Sequence, residues 1–291
     1  MKKYAYYLGC TIPFRESNYD LSTRKVMGNL DVELVDLKGA GCCGLYYEQI
    51  NELTHLAMSA RVISMAESLG LDLMVLCNGC NGSLVKARNK LVENPELRDK
   101  VNEILADIDR EFRGTSEIKH VIRILYEDIG IDEIKKTVKN PLNVKVAAHY
   151  GCHLLKPSEQ IKFDDPREPK SLDELIEVTG AKSVDYFDKN LCCGGFVLGA
   201  DKDIAYNMTG QKLQNVKDVG ADLMITACPF CHVMYDANQR AIENELQKKF
   251  GIPVLHYPQL LGLAMGFNAR DLALEQNRVR VNPGIFDSWG Q

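Results

Sequence analysis

One pattern of five cysteines is written twice in this 291-residue chain, as Cys10, Cys42-Cys43, Cys77 and Cys80, and again as Cys152, Cys192-Cys193, Cys228 and Cys231. In the first copy 31 residues separate Cys10 from Cys42 and 33 separate Cys43 from Cys77; in the second the gaps are 39 and 34. Both copies end in C-x-x-C. The surroundings repeat as well: Leu8-Gly9-Cys10 against Tyr150-Gly151-Cys152, Cys42-Cys43-Gly44 against Cys192-Cys193-Gly194, and Asp72-Leu73-Met74 against Asp222-Leu223-Met224. No cysteine lies outside the pattern, so whatever unit the first copy builds, the second should build again.

The hydrophobic periodicity says what that unit is. Lys3–Leu8, Val32–Leu37 and Leu73–Leu76 are short apolar, β-branched or aromatic runs with helical stretches around Ser17–Leu30 and Tyr47–Leu69 between them. The second half repeats the alternation, with strands at Val144–Ala148, Ser183–Phe187 and Leu223–Thr226 and helices near Leu172–Thr179, Asp201–Val219 and Val233–Phe250. Alternating strands and helices predict a parallel sheet covered on both faces. The expected fold is therefore α/β, with two repeated Rossmann-like units related by pseudo-twofold symmetry, each a short parallel sheet flanked by helices. Asn140-Pro141 within the polar stretch Lys139–Asn143 marks a turn, which divides the chain into units 1–140 and 141–291. Lys156–Lys170, with three prolines, lengthens the second copy's first gap and reads as a surface loop, a lid or a partner contact.

In each unit the cysteines follow the predicted strands, and ligands of open α/β sheets collect outside the carboxyl ends of the strands. Five sulfurs per unit should thus meet in one place. Glycines 41, 44, 151, 194 and 195 beside them let backbone approach a bulky inorganic core and offer N–H groups to its sulfur, or else serve the turns alone.

Composition narrows the partners. With 45% hydrophobic residues the chain can bury an ordinary core without disulfide staples, and adjacent cysteines do not readily bridge each other. Thiolates converging from separate loops are instead the usual way to hold a soft metal or an iron–sulfur cluster. A net charge of −5 gives no electrostatic case for nucleic acid or an anionic membrane. No apolar run is long enough to span a bilayer, and the stretch after Lys2-Lys3 is too short for a lipoprotein signal, so a cytoplasmic location is expected. Met58, Met65 and Met74 read as core fillers, and the sole tryptophan, Trp289, as an anchor for the tail or for a partner.

Tetrahedral zinc and a cubane [4Fe–4S] cluster each take four sulfur ligands, which leaves one cysteine over in each copy. The spacing alone leaves open a free redox thiol, a non-cubane cluster ligated by all five, or zinc at one of the two sites.

The doubled array, with Cys-Cys-Gly in both copies, resembles the cysteine-rich CCG domain family. In whole-chain organisation it is similar to the heterodisulfide reductase B subunits of methanogenic archaea. The resemblance implies two non-cubane [4Fe–4S] clusters, one on Cys10, Cys42, Cys43, Cys77 and Cys80 and the other on Cys152, Cys192, Cys193, Cys228 and Cys231, with zinc at the first site still open. It implies reduction of the coenzyme M–coenzyme B disulfide between the two clusters. The chain lacks the C-x2-C-x2-C-x3-C-P run of a cubane relay. Electrons would come from two partners, a small ferredoxin-like subunit and a large flavin-containing, electron-bifurcating one, with a hydrogenase or formate dehydrogenase behind them. Releasing two thiols takes protons, for which His153, next to Cys152, is the first candidate, ahead of His149, His232 and Lys156.

Overall fold

The computed structural model describes residues 1–281, which build two four-stranded parallel sheets. The first holds β1 (Lys2–Tyr7), β2 (Val32–Asp36), β3 (Leu73–Val75) and β4 (Ile118–His120). The second holds β5 (Lys145–His149), β6 (Lys182–Val184), β7 (Leu223–Thr226) and β8 (Val254–His256). The orders β2-β1-β3-β4 and β6-β5-β7-β8 are one arrangement used twice. Parallel pairing forces every connection to cross the sheet, and helices fill the crossovers. In the first half these are Ser17–Asn29, Glu52–Ser68, and then Asn78–Glu93 with Pro95–Ala106; in the second, Ser171–Glu177, Lys202–Asp218, and then Pro229–His232 with Gln239–Leu246.

Successive strand residues face opposite sides, so both faces of each sheet are buried. Tyr4, Tyr6 and Met74 of the first sheet share a core with Val146, Ala148, Leu223, Ile225 and Leu255 of the second. Their neighbours Ala5, Tyr7, Leu73 and Val75 pack into an outer core of the first half, and Ala147, Met224 and Val254 into one of the second. The shared core makes the halves interdependent. Helix Tyr257–Ala264 of the second half lies against helix Ser17–Asn29 of the first, and the Tyr19 hydroxyl donates to the Ala227 carbonyl.

The duplicated α/β architecture is the expected one, with one strand more in each half. β4 and β8 are three residues long and each closes an edge of its sheet. The helix expected at Tyr47–Leu69 starts at Glu52 because the Asn51 side chain accepts the Thr54 N–H and caps it there. The helix expected over Val233–Phe250 is broken into a π-helical turn, Val233–Ala237, and the helix Gln239–Leu246, which ends at Gln247 with φ +52°. Lys156–Lys170 carries a short helix, Ser158–Ile161, whose Gln160 accepts from Asn89 of the first half, and then a turn held by Asp164 and Asp165, whose carboxylates accept the N–H groups of residues 167, 168, 170 and 171. Met65 and Met74 are buried and Met58 is half-buried. Trp289 lies outside the described residues.

Candidate metal centre

The chain leaves β1 towards β2 on one side and reaches β3 on the other, so a crevice opens at the carboxyl end of β1; the second sheet does the same around β5. Cys10 follows β1, Cys42-Cys43 follows β2, and Cys77 and Cys80 follow β3. Cys152, Cys192-Cys193, Cys228 and Cys231 take the matching positions after β5, β6 and β7. The two crevices face each other. All ten cysteines line a single cavity, and all ten are free of disulfides. The halves meet where Cys77 Sγ and Cys228 Sγ approach to 3.9 Å.

From that meeting point the sulfurs run outwards in the same order on both sides. Hydrogen-bonding neighbours follow the sequence Cys77, Cys80, Cys43, Cys42, Cys10 in one direction and Cys228, Cys231, Cys193, Cys192, Cys152 in the other. Each adjacent pair contains one thiol held far below the ordinary range. Hydrogen bonds from Cys42 and then Cys80 bring Cys43 to about 4, and those from Cys152 and then Cys193 bring Cys192 to about 2. Cys228 is held low too, by Cys231 and then Cys77, while neighbouring thiols and burial push the other seven up, so the sulfurs hold their protons unevenly and a metal would have to displace them to bind.

The backbone is shaped to the same end. Gly44 and Gly194 sit at φ +83° and +85°, where a Cβ would come within 2.9 Å of Met58 Cβ in the first case and 2.8 Å of the Ala205 carbonyl oxygen in the second. That conformation aims the Gly44 N–H at Cys42 Sγ and the Gly194 N–H at Cys192 Sγ, each at 3.4 Å, and Gly195 N–H meets Cys193 Sγ at the same distance. Ser59 donates to the Cys43 carbonyl at 2.7 Å and Thr209 to the Cys193 carbonyl at 2.8 Å, fixing both Cys-Cys loops to the helix that follows. Cys77 and Cys228 are the N-caps of Asn78–Glu93 and Pro229–His232, so the N-terminal N–H groups of helices point towards sulfur. Five sulfurs per half, supplied with N–H donors and glycine-wide approaches, fit a metal–sulfur group with more than four sulfur ligands.

Of the four residues expected to supply protons, His153 alone lines the cavity. Its Nδ1 is buried without a partner. Burial, and then the charge of Lys86, lowers its pKa, which makes the ring neutral at pH 7. His149 is wholly buried behind the loop, His232 turns to Glu16, and Lys156 is exposed. Sequence reasoning missed the cavity's aromatic wall: Phe196 lies 5.5 Å from Tyr46 and 5.9 Å from Phe230 between ring centres. The same three rings, with Cys10 and Thr11, border an outer hollow whose lining includes Arg15. Single aromatics in short turns of helix and in loops carry no periodic signal that would have announced them.

The pattern of the cysteine-rich CCG domain matches the chain twice, at residues 4–85 and 146–236. The B subunit of the ferredoxin:CoB-CoM heterodisulfide reductase of Methanosarcina mazei is 42% identical over 284 residues, covering 96% of this chain and 95% of that one. The 8-methylmenaquinol:fumarate reductase membrane anchor subunit of Wolinella succinogenes is 30% identical, with coverage of 95% and 96%. No helix among the described residues is long and apolar enough to cross a membrane. A crystal structure of a hypothetical protein from Helicobacter pylori superposes on 97% of this chain with a TM-score of 0.78. At 17% identity, and with this chain spanning 52% of its length, that protein speaks for the fold alone. The chain belongs to the cysteine-rich CCG domain family, and along nearly its whole length it is similar to the heterodisulfide reductase B subunits within it.

Proposed function

We propose that this chain is the catalytic subunit of a heterodisulfide reductase, taking the mixed disulfide of coenzyme M and coenzyme B to its two thiols. The overall change is R–S–S–R′ + 2 e⁻ + 2 H⁺ → R–SH + R′–SH. One observation carries the reading: the sulfurs of both repeats line one cavity and their two sets meet at Cys77 and Cys228. Cys10, Cys42, Cys43, Cys77 and Cys80 would hold one non-cubane [4Fe–4S] cluster and Cys152, Cys192, Cys193, Cys228 and Cys231 the other. When bound, such clusters supply the two electrons singly and stabilise the departing thiolates.

The chain's own residues do the rest. Tyr46, Phe196 and Phe230 keep water from the disulfide, and the outer hollow takes one arm of the substrate, with Arg15 as the cation facing its anionic end. His153, which lines the cavity next to Cys152, relays protons to the thiolates. Electrons arrive through the small ferredoxin-like partner and the large flavin-containing one, fed by a hydrogenase or formate dehydrogenase, all in the cytoplasm.

The test is iron, zinc and acid-labile sulfide content on anaerobically purified protein, with electron paramagnetic resonance after oxidation with the thiol coenzymes. Two four-iron clusters and a signal that appears only with a thiol substrate support the reading; one zinc with one cluster overturns it. His153→Ala is expected to keep its iron and to lose about 10²-fold in turnover. Arg15→Leu is expected to raise KM about tenfold at unchanged kcat, checked by steady-state kinetics. A second reading, an electron-transfer subunit with a different acceptor, is favoured by the fumarate reductase relative. It predicts the same metal content with no response to the thiol coenzymes.

A further inference from the structure

The two halves hold the same backbone carbonyl by different chemistry. The carbonyl just ahead of the Cys-Cys pair belongs to Gly41 in the first half and to Leu191 in the second. Gly41 accepts from the Tyr7 hydroxyl at 2.9 Å, whereas Leu191 accepts from the Lys212 ammonium at 2.7 Å. Tyr7 ends β1; His149, which ends β5, stands in its place, and Lys212 Nζ lies 3.5 Å from its Nδ1. Counted from Ser59 and Thr209, the counterpart of Lys212 is Val62, which is wholly buried and apolar. A neutral hydroxyl on one side is thus replaced by a cation on the other.

Lys212 is 1% exposed. It also donates to the Asp188 carbonyl at 2.6 Å and approaches the Lys189 carbonyl at 3.4 Å. Three carbonyls match the three N–H bonds of an ammonium, which a neutral amine could not supply. Among the described residues its hydrogen bonds go to carbonyls and to His149, and it forms no ion pair; burial works against its charge, while Asp188 and the thiols of Cys231, Cys193 and Cys192 act on it from a distance. The first half has a cation of its own near this loop, Arg61, which donates to the Gly39 and Ala40 carbonyls at 2.6 Å. Arg61 is partly exposed, so water screens it, whereas the field of Lys212 acts through protein. His232 adds no net charge beside Cys231, because Glu16 lies 2.7 Å from it.

We propose that Lys212 makes the Cys192-Cys193 centre the easier of the two to reduce, so that the first electron delivered to the pair comes to rest in the second half. The inference rests on the two-cluster reading. Reduction adds one negative charge to a centre, and a fixed cation nearby in a poorly screened interior favours the charged form.

The experiment is a redox titration followed by electron paramagnetic resonance on the intact protein and on Lys212→Met and Lys212→Arg, after iron and sulfide have been measured on each. Cys10→Ser and Cys152→Ser variants assign the two signals. In Lys212→Met the reduced-to-oxidised ratio of the second centre at a given potential is expected to fall on the order of tenfold, with the first centre unmoved and Lys212→Arg close to the parent. Full iron with unmoved potentials in both variants overturns the role of Lys212 and leaves the two-cluster reading standing. Loss of second-site iron in Lys212→Met makes the lysine a loop clamp and equally overturns it. A parent protein without two iron centres overturns the two-cluster reading, and this inference with it.

Discussion

Gly151 and Asn78 show how single residues join the two copies. Asn78 lies within the first C-x-x-C, and its amide donates to the Tyr150 carbonyl at 2.7 Å across the interface. Gly151, at φ +75°, leaves room for that amide, since a Cβ there would overlap the Asn78 side-chain nitrogen. Gly151→Ala is expected to cost about 1–3 kcal/mol in urea unfolding, from the left-handed conformation and the displaced amide together. His120 donates from Nε2 to the Leu76 carbonyl and accepts the Ile122 N–H at Nδ1, a neutral tautomer with both nitrogens used. Burial holds it to about 4. Between the unfolded value near 6.5 and 4, the unfolded chain takes up a proton that the folded chain refuses, so stability falls as pH drops through that window and is level above it. His120→Asn is expected to flatten the difference in unfolding free energy between pH 7.5 and 5.5 relative to the parent, by about 1.4 kcal/mol. At this scale the cysteines were legible because they came in a doubled pattern. Asn78 and Lys212 were not, because a lone amide or lysine looks the same in sequence whether it meets water or a buried carbonyl.

At the scale of elements, the strands that carry sulfur were readable from alternation and β-branched content, and so was the crevice they share. The helix after each C-x-x-C was not read over its true span: Asn78–Glu93 went unread, and the segment after Cys228 is broken by the π-helical turn Val233–Ala237. The two Cys-Cys loops are anchored by one device with different reserves. The Cys43 carbonyl accepts from Ser59 and, at 3.3 Å, from Ser83 as well, whereas Thr209 is the side chain that holds the Cys193 carbonyl. Thr209→Val is therefore expected to cost about 1–3 kcal/mol and Ser59→Ala about half as much, since only the former strands a buried acceptor. Thermal unfolding of the two variants side by side checks the order.

Over the whole molecule, Glu16 ties the two copies together. One oxygen of its carboxylate lies 2.7 Å from His232 Nδ1 and 3.0 Å from His256 Nε2, both in the other half, and all three residues are buried. Burial alone would raise its pKa, but hydrogen bonds from His232 and then His256 bring it to about 2. Glu16→Gln leaves one imidazole without its acceptor and is expected to cost about 3–5 kcal/mol. The loss should appear as one cooperative transition at lower denaturant, without a separate early step for either half. The duplication was legible from end to end, but the fusion of its halves was not, because residues such as Tyr6 and Ile225 belong to different repeats and show no mutual spacing. The shared core has a consequence for how the protein is made. On the ribosome the first five cysteines emerge long before Val146, Leu223 and Ile225, so the first sheet waits with its inner face bare until the second is synthesised. The ten cysteines thus come together only once the second sheet has been made.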